Sequence, residues 1–389
     1  MTCDSRACPY RQSNFRALPH TTLLLTLRSN CGPDEVRLQV AYCGICGSDL
    51  HEYHAGPILT PKYGLPHPQT GASLPVTLGH EFSGTVAEIG EQVLDFQIGD
   101  KVTVNPALDD RHYNKDACEL CQIGRSNLCK RSAFYGINAE GGGFAEQIVV
   151  KACALFKLPS NVSLKLAALA EPLAVAWHMV RLSGFRAGNN IVILGAGPIG
   201  CCLTFLTKTH GAKRVIVSEV SSSRSAQARS FGADEVIDPT KRSDSPQQDK
   251  ALDGVHTTSD PVLAAVRSSM GLGADIVFDA CGLQSTLDTA IACTKPAGTI
   301  FNVAIHDKPL KIHLNQLTLA EKRLMAGNAY TKEDFEKVLG ILSTRGKEAA
   351  KLITAVVPLE HVVKDGFLEL LGNAVGHVKI LVQASSDVD

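Results

Sequence analysis

The chain has 389 residues, of which 44% are apolar and 20% charged, and its formal net charge is −1. This length is too great for one compact core and suits about two globular domains. The near-neutral charge gives no electrostatic case for binding nucleic acid or an anionic membrane surface. No apolar run approaches the roughly 18 residues that a membrane span requires, so we predict no membrane partner.

The chain contains thirteen cysteines, an odd number. Residues 1–20 include basic residues but lack the longer apolar core of a secretory signal. We interpret them as a poorly specified leader or an edge strand, with a transit peptide as the minor alternative. Without a secretory signal the cysteines indicate a reducing compartment, and we predict a cytoplasmic location. Five of them lie in apolar surroundings and are expected to be core residues: Cys153, Cys201, Cys202, Cys281 and Cys293.

The first half of the chain alternates apolar and polar residues in the manner of half-buried strands. The first predicted strand, 36–42, leads into a predicted turn or short helix over 47–52. A proline-rich loop over 53–75 follows, and a loop of this length within a compact domain is usually functional or a lid. Further strands are predicted over 82–89, 101–104 and 144–150. Together these segments predict a small antiparallel sheet or barrel.

The pattern changes near residue 165, and residues 167–182 are predicted to be helical. Proline is tolerated in the first turn of a helix, so the regular helix is expected to begin at Pro172. Glu171 would then lie at the helix entrance, with its carboxylate free to point into a cleft.

Buried apolar strands alternate with helices from residue 190 onward, which predicts a parallel sheet covered on both faces. The predicted strands are 191–194, 214–218, 235–237, 275–278 and 299–303, and the predicted helices are 198–209, 225–231, 261–270 and 285–293. Residues 239–258 are predicted to be an irregular surface excursion. The tail is mixed, with helices over 332–342 and 362–371 and a strand over 377–382. The fold class is therefore α/β, with a β-rich domain and a doubly wound parallel-sheet domain.

A glycine-rich turn follows the strand 191–194 and opens the next helix; its sequence is Gly195-Ala-Gly197-Pro198-Ile199-Gly200. Gly195 permits the turn, Gly197 lets the backbone approach a pyrophosphate, and Gly200 lets helix and strand pack closely. The helix N-terminus offers free N–H groups and a positive dipole end to phosphates, so we assign the whole turn to a dinucleotide site. A turn that binds no ligand is the alternative interpretation.

An acidic residue, Glu219, ends the next strand 19 residues after Gly200, close to the spacing expected for a ribose-binding acid. Its carboxylate would accept hydrogen bonds from ribose hydroxyls and repel a 2′-phosphate, so NAD is favoured over NADP. Arg224, five residues further on, could meet a phosphate and is included among the cofactor-binding candidates.

Cys46, His80 and Glu81 are the first candidates for a metal site, since thiolate, imidazole and carboxylate groups all bind zinc. A site with three protein ligands and one open position is a catalytic zinc site. Glu171 is the fourth candidate, either as a direct ligand or as the acceptor of a hydrogen bond from a zinc-bound water.

A second cluster, Cys118-x2-Cys121-x7-Cys129, has spacing that indicates a closed structural zinc site. Such a site needs four ligands, and Lys115 occupies the position three residues before Cys118. Asp116 or His112 could complete the set. A loop of free thiols without metal is the alternative.

These motifs together resemble the medium-chain, zinc-dependent dehydrogenase/reductase family from about residue 32 to the end of the chain. Within it, the stretch from Pro75 to Gly84 and the proline-rich loop look most like 2,3-butanediol dehydrogenases, followed by sorbitol dehydrogenases. The opening strand pair of the family is not recognisable before residue 32. The matching motifs are Cys43-Gly-Ile-Cys-Gly-Ser-Asp-Leu-His-Glu-Tyr53, Gly79-His-Glu-Phe-Ser-Gly84, Glu171-Pro-Leu-Ala-Val-Ala-Trp-His178 and Gly195 to Gly200.

The resemblance implies a GroES-like catalytic domain over 1–180 and a Rossmann NAD-binding domain over 181–322. A C-terminal segment over 323–389 would return to the catalytic domain. The resemblance also implies a homodimer or homotetramer. In this branch of the family a glutamate replaces the third, cysteine, zinc ligand of ordinary alcohol dehydrogenases, and Glu171 fits that position.

The activity implied is the reversible oxidation of a secondary alcohol to a ketone, with a vicinal diol such as 2,3-butanediol as the expected substrate. A polyol or a specialised secondary metabolite is the alternative substrate. Zinc would act as a Lewis acid on the substrate oxygen, and NAD would take up the hydride. Ser48 would accept the hydroxyl proton and pass it towards His51, whose imidazole can accept and release a proton. Glu171 could move on and off the metal as water and substrate exchange.

Two other classes of function are weighed against this one. A non-catalytic protein that kept the fold would be expected to lose Cys46, His80 or Ser48, and all three are present. A zinc-containing nucleic-acid module would need flanking basic residues, and those beside the second cysteine cluster are few. They are Arg125, Lys130 and Arg131.

Overall fold

The computed structural model describes residues 31–241, 260–306, 308–373 and 376–385. Residues 1–20, which the sequence suggests are a leader or an edge strand, lie outside these ranges, as does most of the predicted excursion 239–258. The strands are β1 (Glu35–Gly44), β2 (Glu81–Ile89), β3 (Lys101–Val104), β4 (Ala107–Leu108), β5 (Ala133–Phe134), β6 (Gln147–Lys151), β7 (Leu155–Lys157), β8 (Asn190–Leu194), β9 (Arg214–Ser218), β10 (Glu235–Ile237), β11 (Ala274–Asp279), β12 (Thr294–Asn302), β13 (Arg323–Ala326), β14 (Ile353–Pro358) and β15 (Lys379–Gln383). The helices are α1 (Gly47–Ala55), α2 (Glu119–Gln122), α3 (Leu164–Ala167), α4 (Ala170–Leu182), α5 (Pro198–Thr209), α6 (Ser222–Ser230), α7 (Pro261–Met270), α8 (Gln284–Cys293), α9 (Asn315–Thr318), α10 (Lys332–Ala349) and α11 (Leu368–Asn373).

One sheet has the order β14-β15-β1-β2-β3-β7, and β6 also pairs with β1. β1 runs antiparallel to β2, β6 and β15, so segments that are distant in sequence meet at this strand. The register sets Gly44 opposite Glu81, which brings the loop after β1 to the start of β2. The predicted β-rich domain is thereby confirmed, although its strand over 144–150 begins only at Gln147.

The second sheet is parallel, with the order β10-β9-β8-β11-β12-β13. Side chains along β8 alternate between two cores, as the period of two in a strand requires. Ile191 and Ile193 pack on the side that α4, α5 and α10 cover, whereas Val192 and Leu194 pack on the side of α7 and α8. The predicted parallel sheet with helices on both faces is therefore confirmed.

The carboxy-terminal part of the chain contributes to both sheets. β13 extends the parallel sheet beside β12, whereas β14 and β15 join the sheet of β1. We therefore propose that the return to the catalytic domain occurs after β13, later than a boundary at residue 322. The boundary near residue 180 stays a prediction.

Helix α4 starts earlier than predicted. It begins at Ala170 rather than Pro172, so Glu171 and Pro172 both lie in its first turn. Proline is accepted at this depth because the first N–H groups of a helix have no intrahelical partner. Glu171 therefore lies within the helix and not before it.

The prediction that five cysteines are core residues is correct for three of them. Cys201, Cys202 and Cys293 are buried, but Cys153 and Cys281 are exposed because they lie in connections that follow strands. Among the residues that the structure describes, no helix is both long and apolar enough to cross a membrane.

Candidate active site

Helix α1 presents a thiol at its N-terminus. Cys46 is the N-cap residue, in extended conformation, and Oδ2 of Asp49 accepts a hydrogen bond of 2.9 Å from the Cys46 backbone N–H. Anionic groups are stabilised at a helix N-terminus by the free N–H groups and the helix dipole. The Cys46 sulfur therefore lies at the electropositive end of α1.

His80 is buried and lies immediately before β2. The preceding Gly79 has φ +94°, a conformation that side chains disfavour. Oδ1 of Asp49 accepts from the Gly79 N–H at 3.3 Å and lies 3.6 Å from Nδ1 of His80. Asp49 thus holds the backbone at Cys46 and at Gly79, the residue before His80. Sequence reasoning did not assign it this role, although its place three residues after an N-cap is a capping signal.

The ligand atoms of Cys46, His80 and Glu81 lie within 4.8 Å of one another, which is compatible with one shared ion. Burial lowers the pKa of His80, but the charges of Asp49 and Cys46 outweigh it and hold that pKa well above its usual range. A positive charge is therefore favoured at this point, and a divalent cation would supply it. The three candidate ligands predicted from the sequence are thus brought together and fit a zinc ion.

Glu81 has a second partner that the sequence did not indicate. Nζ of Lys379 donates to Oε1 of Glu81 at 2.7 Å and to the carbonyl oxygen of Ile45 at 3.0 Å. Oε2 of Glu81 is buried and has no hydrogen-bond partner within the described residues. One carboxylate oxygen is therefore bound to an ammonium group, and the other is available to a metal.

Glu171 and Tyr330 are both buried, and the Tyr330 hydroxyl has no hydrogen-bond partner within the described residues. Burial is the main cause that raises the pKa of Glu171 to about 7, and the charge of His80 opposes it. Burial and the neighbouring Glu171 carboxylate hold the pKa of Tyr330 well above its usual range. Nothing in the local sequence singles out Tyr330, because 159 residues separate it from Glu171.

Ser48 and His51 lie on α1, three positions apart, and therefore share one face of the helix. Oγ of Ser48 is 3.3 Å from Nε2 of His80. His51 is exposed to solvent. The helix thus leads from the metal-ligand cluster at its N-terminus towards the surface.

The cysteine cluster has an acidic fourth member. The ligand atoms of Cys118, Cys121 and Cys129 lie within 4.8 Å of one another and of Asp110. Sγ of Cys118 is 3.9 Å from Sγ of Cys129, near the value of about 3.8 Å that tetrahedral Zn–S bonds of about 2.3 Å imply. Arg131 pairs with Oδ1 of Asp110, and Oδ2 accepts from the Cys118 N–H at 2.8 Å.

The fourth-ligand candidates offered by sequence spacing do not join this cluster. Asp116 is exposed, and neither Asp116 nor His112 belongs to the group of ligand atoms that lie within 4.8 Å of one another. Asp110 is found only in the folded chain, because it precedes Cys118 by eight residues on a separate 3₁₀ turn.

The glycine-rich turn has the geometry of a phosphate cradle. Gly195 has φ +98°, and a Cβ at Gly200 would overlap the carbonyl oxygen of Gly195. Gly197 has open space where its Cβ would lie. Gly197 caps α5, so Pro198 and Ile199 occupy the first turn, where N–H groups face outward.

Glu219 joins this turn from β9. Its Oε2 accepts from the Ala196 N–H and its Oε1 from the Ser221 N–H, both at 2.8 Å. Arg224 lies in the first part of α6, where its backbone N–H donates to Oγ of Ser221. The predicted cofactor residues therefore follow β8 and β9 at their carboxyl ends, where open α/β sheets bind ligands.

Comparison with known proteins agrees with both parts of this arrangement. Residues 32–160 match the family model of the alcohol dehydrogenase GroES-like domain, and residues 198–344 match that of the zinc-binding dehydrogenase. The chain is 37% identical to (R,R)-butanediol dehydrogenase of Saccharomyces cerevisiae over 362 residues, which is 90% of this chain and 91% of that protein. It superposes on 2R,3R-butanediol dehydrogenase from Bacillus subtilis with a TM-score of 0.82 and 35% identity, covering 92% and 95% of the two chains. It is 29% identical to the probable D-xylulose reductase A of Aspergillus fumigatus over 338 residues, 87% of each protein.

The chain belongs to the zinc-binding alcohol dehydrogenase family. The resemblance and the fold class predicted from the sequence are confirmed, as is the prediction that the chain is an oxidoreductase acting on an alcohol.

Proposed function

We propose that the protein oxidises a vicinal diol, most simply 2,3-butanediol, to a hydroxyketone with NAD, and reduces the ketone in reverse. The observation that carries this proposal is the cluster of Cys46, His80 and Glu81 beside Ser48. A zinc ion there would supply Lewis acidity towards the substrate hydroxyl, and the nicotinamide ring would supply the hydride acceptor.

The side chains around the cluster would bind the ion and move one proton. Cys46 and His80 would hold the metal, with Glu81 or Glu171 as the carboxylate partner. Ser48 is within hydrogen-bond reach of this point and can accept the hydroxyl proton. His51, exposed on the same helix face, can deliver that proton to water.

A diol with methyl groups is favoured over a polyol by the loop that follows α1. This loop exposes apolar side chains, among them Ile58 and Leu59. Its start is anchored by Glu52, whose carboxylate accepts hydrogen bonds from the backbone N–H groups of both residues. Apolar groups there would favour methyl substituents over the hydroxyls of a sugar alcohol. Consistent with this, the identity to butanediol dehydrogenase exceeds that to the xylulose reductase.

The test is a panel of diols, polyols and simple secondary alcohols with NAD and NADP, followed by the absorbance of the reduced cofactor. We expect the highest kcat/KM for 2,3-butanediol with NAD. A higher kcat/KM for sorbitol or xylitol would instead support the polyol alternative. Cys46→Ser and His80→Ala should each abolish turnover and the catalytic zinc while NADH binding survives, and full activity in either variant contradicts the metal assignment.

We infer a preference for NAD over NADP from Glu219. This carboxylate lies at the end of β9 beside the glycine-rich turn, and it would repel a 2′-phosphate. Glu219→Ala should narrow the difference between the dissociation constants of NADH and NADPH. An unchanged ratio in that variant would remove Glu219 from the cofactor assignment.

We also propose a second, structural zinc ion bound by Asp110, Cys118, Cys121 and Cys129. Four ligands in a closed set suit a structural site, and Arg131 orients the Asp110 carboxylate as an outer partner. Thiol ligands must stay reduced, so this site agrees with the cytoplasmic location that we infer from the cysteine content.

We propose that the oligomer is a homodimer or homotetramer formed by a second copy of this chain at β13. Within the described residues β13 pairs with β12 on one side only. Leu324 on this strand and the nearby Leu319 are exposed. A strand edge with apolar neighbours is a surface that a second copy can cover. The molar mass measured by light scattering should be at least twice that of one chain. The substitution Leu324→Lys should lower this mass to that of a monomer.

A further inference from the structure

The cysteine lobe, residues 117–130, sends one polar side chain into the protein interior. Asn127 lies on the 3₁₀ turn Ser126–Leu128 and is only 6% exposed, whereas its neighbour Leu128 is 42% exposed. The lobe therefore contacts the rest of the chain through a buried amide.

The Asn127 amide donates hydrogen bonds to two separate elements. Its Nδ2 donates to the carbonyl oxygen of Asn328 at 2.7 Å and lies 3.5 Å from Nε2 of His178 on α4. Its Oδ1 is buried and has no hydrogen-bond partner within the described residues. The amide is therefore held by its donor contacts, and an apolar replacement leaves the Asn328 carbonyl without this donor.

The Asn328 contact acts on the segment 327–331, which joins β13 to α10. A Cβ at Gly327 would overlap Sδ of Met179 on α4, so the segment packs directly on that helix. At its other end, the backbone N–H of Thr331 donates to Asp334 at 2.9 Å. The segment is thus held at both ends and, through Asn127, near its middle.

The His178 contact acts on the helix that carries Glu171. Nδ1 of His178 donates to Oδ2 of Asp334 at 2.6 Å, and both side chains are buried. With Nδ1 as the donor, Nε2 of the neutral imidazole is the nitrogen that can accept from the Asn127 amide. Arg181 pairs with the same carboxylate at 2.7 Å, which joins α4 to α10.

We infer that Asn127 is a positioning residue through which the cysteine lobe holds the segment that carries Tyr330 against α4, the helix that carries Glu171. Tyr330 lies two residues after Asn328, and Glu171 lies seven residues, or two helical turns, before His178 on the same face of α4. The Asn127 amide thus contacts both the segment that carries Tyr330 and the helix that carries Glu171. The catalytic importance of this arrangement rests on the proposed function, whereas the link between the two segments does not.

The link is tested by hydrogen exchange in the purified full-length protein. In Asn127→Ala we expect amide exchange in peptides covering 327–334 to rise about tenfold, the equivalent of one lost buried hydrogen bond. The matched control is Gln122→Ala, which removes a side-chain amide bond of 2.8 Å to the Ala117 carbonyl within the lobe. The control should leave exchange in 327–334 unchanged.

Equal exchange in Asn127→Ala and wild type overturns the inference. If the alanine variant does not fold, Asn127→Ser, too short to reach Asn328, gives the same comparison.

A double-mutant cycle tests whether the lobe acts through Asn127. Asp110→Asn, which disturbs the lobe, should increase exchange in 327–334 and lower kcat for the diol in the wild-type background. In the Asn127→Ala background it should add little to either, because the connection is already broken. Additive effects on exchange would overturn the coupling. A chain inactive on every alcohol would instead refute the proposed function, and the exchange results would still decide the link.

Discussion

The ammonium group of Lys379 lies 2.7 Å from Oε1 of Glu81, and both side chains are at least 96% buried. A buried anion is costly unless it is paired, and Glu81 stands beside two other candidate metal ligands. Lys379 therefore allows the acidic site to exist before a metal binds. It also leaves only one oxygen of Glu81 for the ion.

Replacing Lys379 by methionine should destabilise the metal-free protein by about 3–5 kcal/mol, because the Glu81 carboxylate then stays buried without its cation. Added zinc should restore more stability in this variant than in the wild type, since Glu81 can turn fully to the ion. Urea unfolding with zinc and with chelator measures both effects. Lys332→Met, which removes an exposed ion pair with Glu336, should change the free energy of unfolding by less than about 0.5 kcal/mol. Equal effects of the two substitutions would contradict this role of Lys379.

Asp110→Asn should lower the zinc content from two ions per chain to one and reduce the melting temperature. The neutral amide cannot replace the carboxylate ligand, and Arg131 loses its partner. Asp116→Asn is the control, because that carboxylate is exposed and lies outside the cluster. Elemental analysis of both purified variants measures the number of zinc ions per chain. Loss of zinc from the Asp116 variant alone would show that the wrong aspartate has been assigned.

Gly197→Ala and Gly200→Ala should have different effects. A Cβ at Gly197 meets open space, so this variant should fold normally but bind NADH at least about tenfold more weakly, since the methyl group occupies the approach of the pyrophosphate. A Cβ at Gly200 meets the Gly195 carbonyl, so this variant should lose stability as well. Thermal melts and NADH fluorescence titrations separate the two. Undiminished NADH affinity in Gly197→Ala is the result that this assignment does not allow.

Asp334 should contribute to stability above about pH 4 and lose that contribution in acid. Burial raises its pKa, but the hydrogen bonds from His178 and Arg181 outweigh burial and hold the pKa well below the usual range of an aspartate. A carboxyl group with a depressed folded pKa stabilises the fold above its unfolded pKa, and the effect disappears as pH falls through the folded value. Asp334→Asn should therefore be less stable at pH 7, and its stability should fall less between about pH 5 and pH 3. Urea unfolding across that range measures the slope, and parallel curves for the two proteins would contradict the prediction.

The strands and helices of the parallel sheet were predictable because each element is encoded locally. The four residues from Ile191 to Leu194 are all apolar and are followed by the glycine-rich turn, so the strand, the turn and α5 follow from adjacent residues. The sequence predicts the start of helix α4 two residues too late, because a proline does not reveal how many residues of the first turn precede it. Cys153 and Cys281 were misjudged because apolar neighbours in sequence do not determine which side of a connection faces the core.

Cys46, His80 and Glu81 could be named from the sequence because they stand in short motifs whose glycines and acidic caps act over a few residues. The long-range contacts around the site could not be predicted. Lys379 reaches Glu81 across 298 residues, and Asn127 reaches Asn328 across 201. Asp110, rather than Asp116 or His112, lies beside the three thiols. The fold brings it there, and the spacing in the sequence does not indicate it. Local backbone preferences and side-chain chemistry thus determined the ligand types, the cofactor turn and the family. The pairing of buried charges was decided only by the tertiary structure, because a charge taken out of water is stabilised by whichever opposite group the packed chain brings within reach.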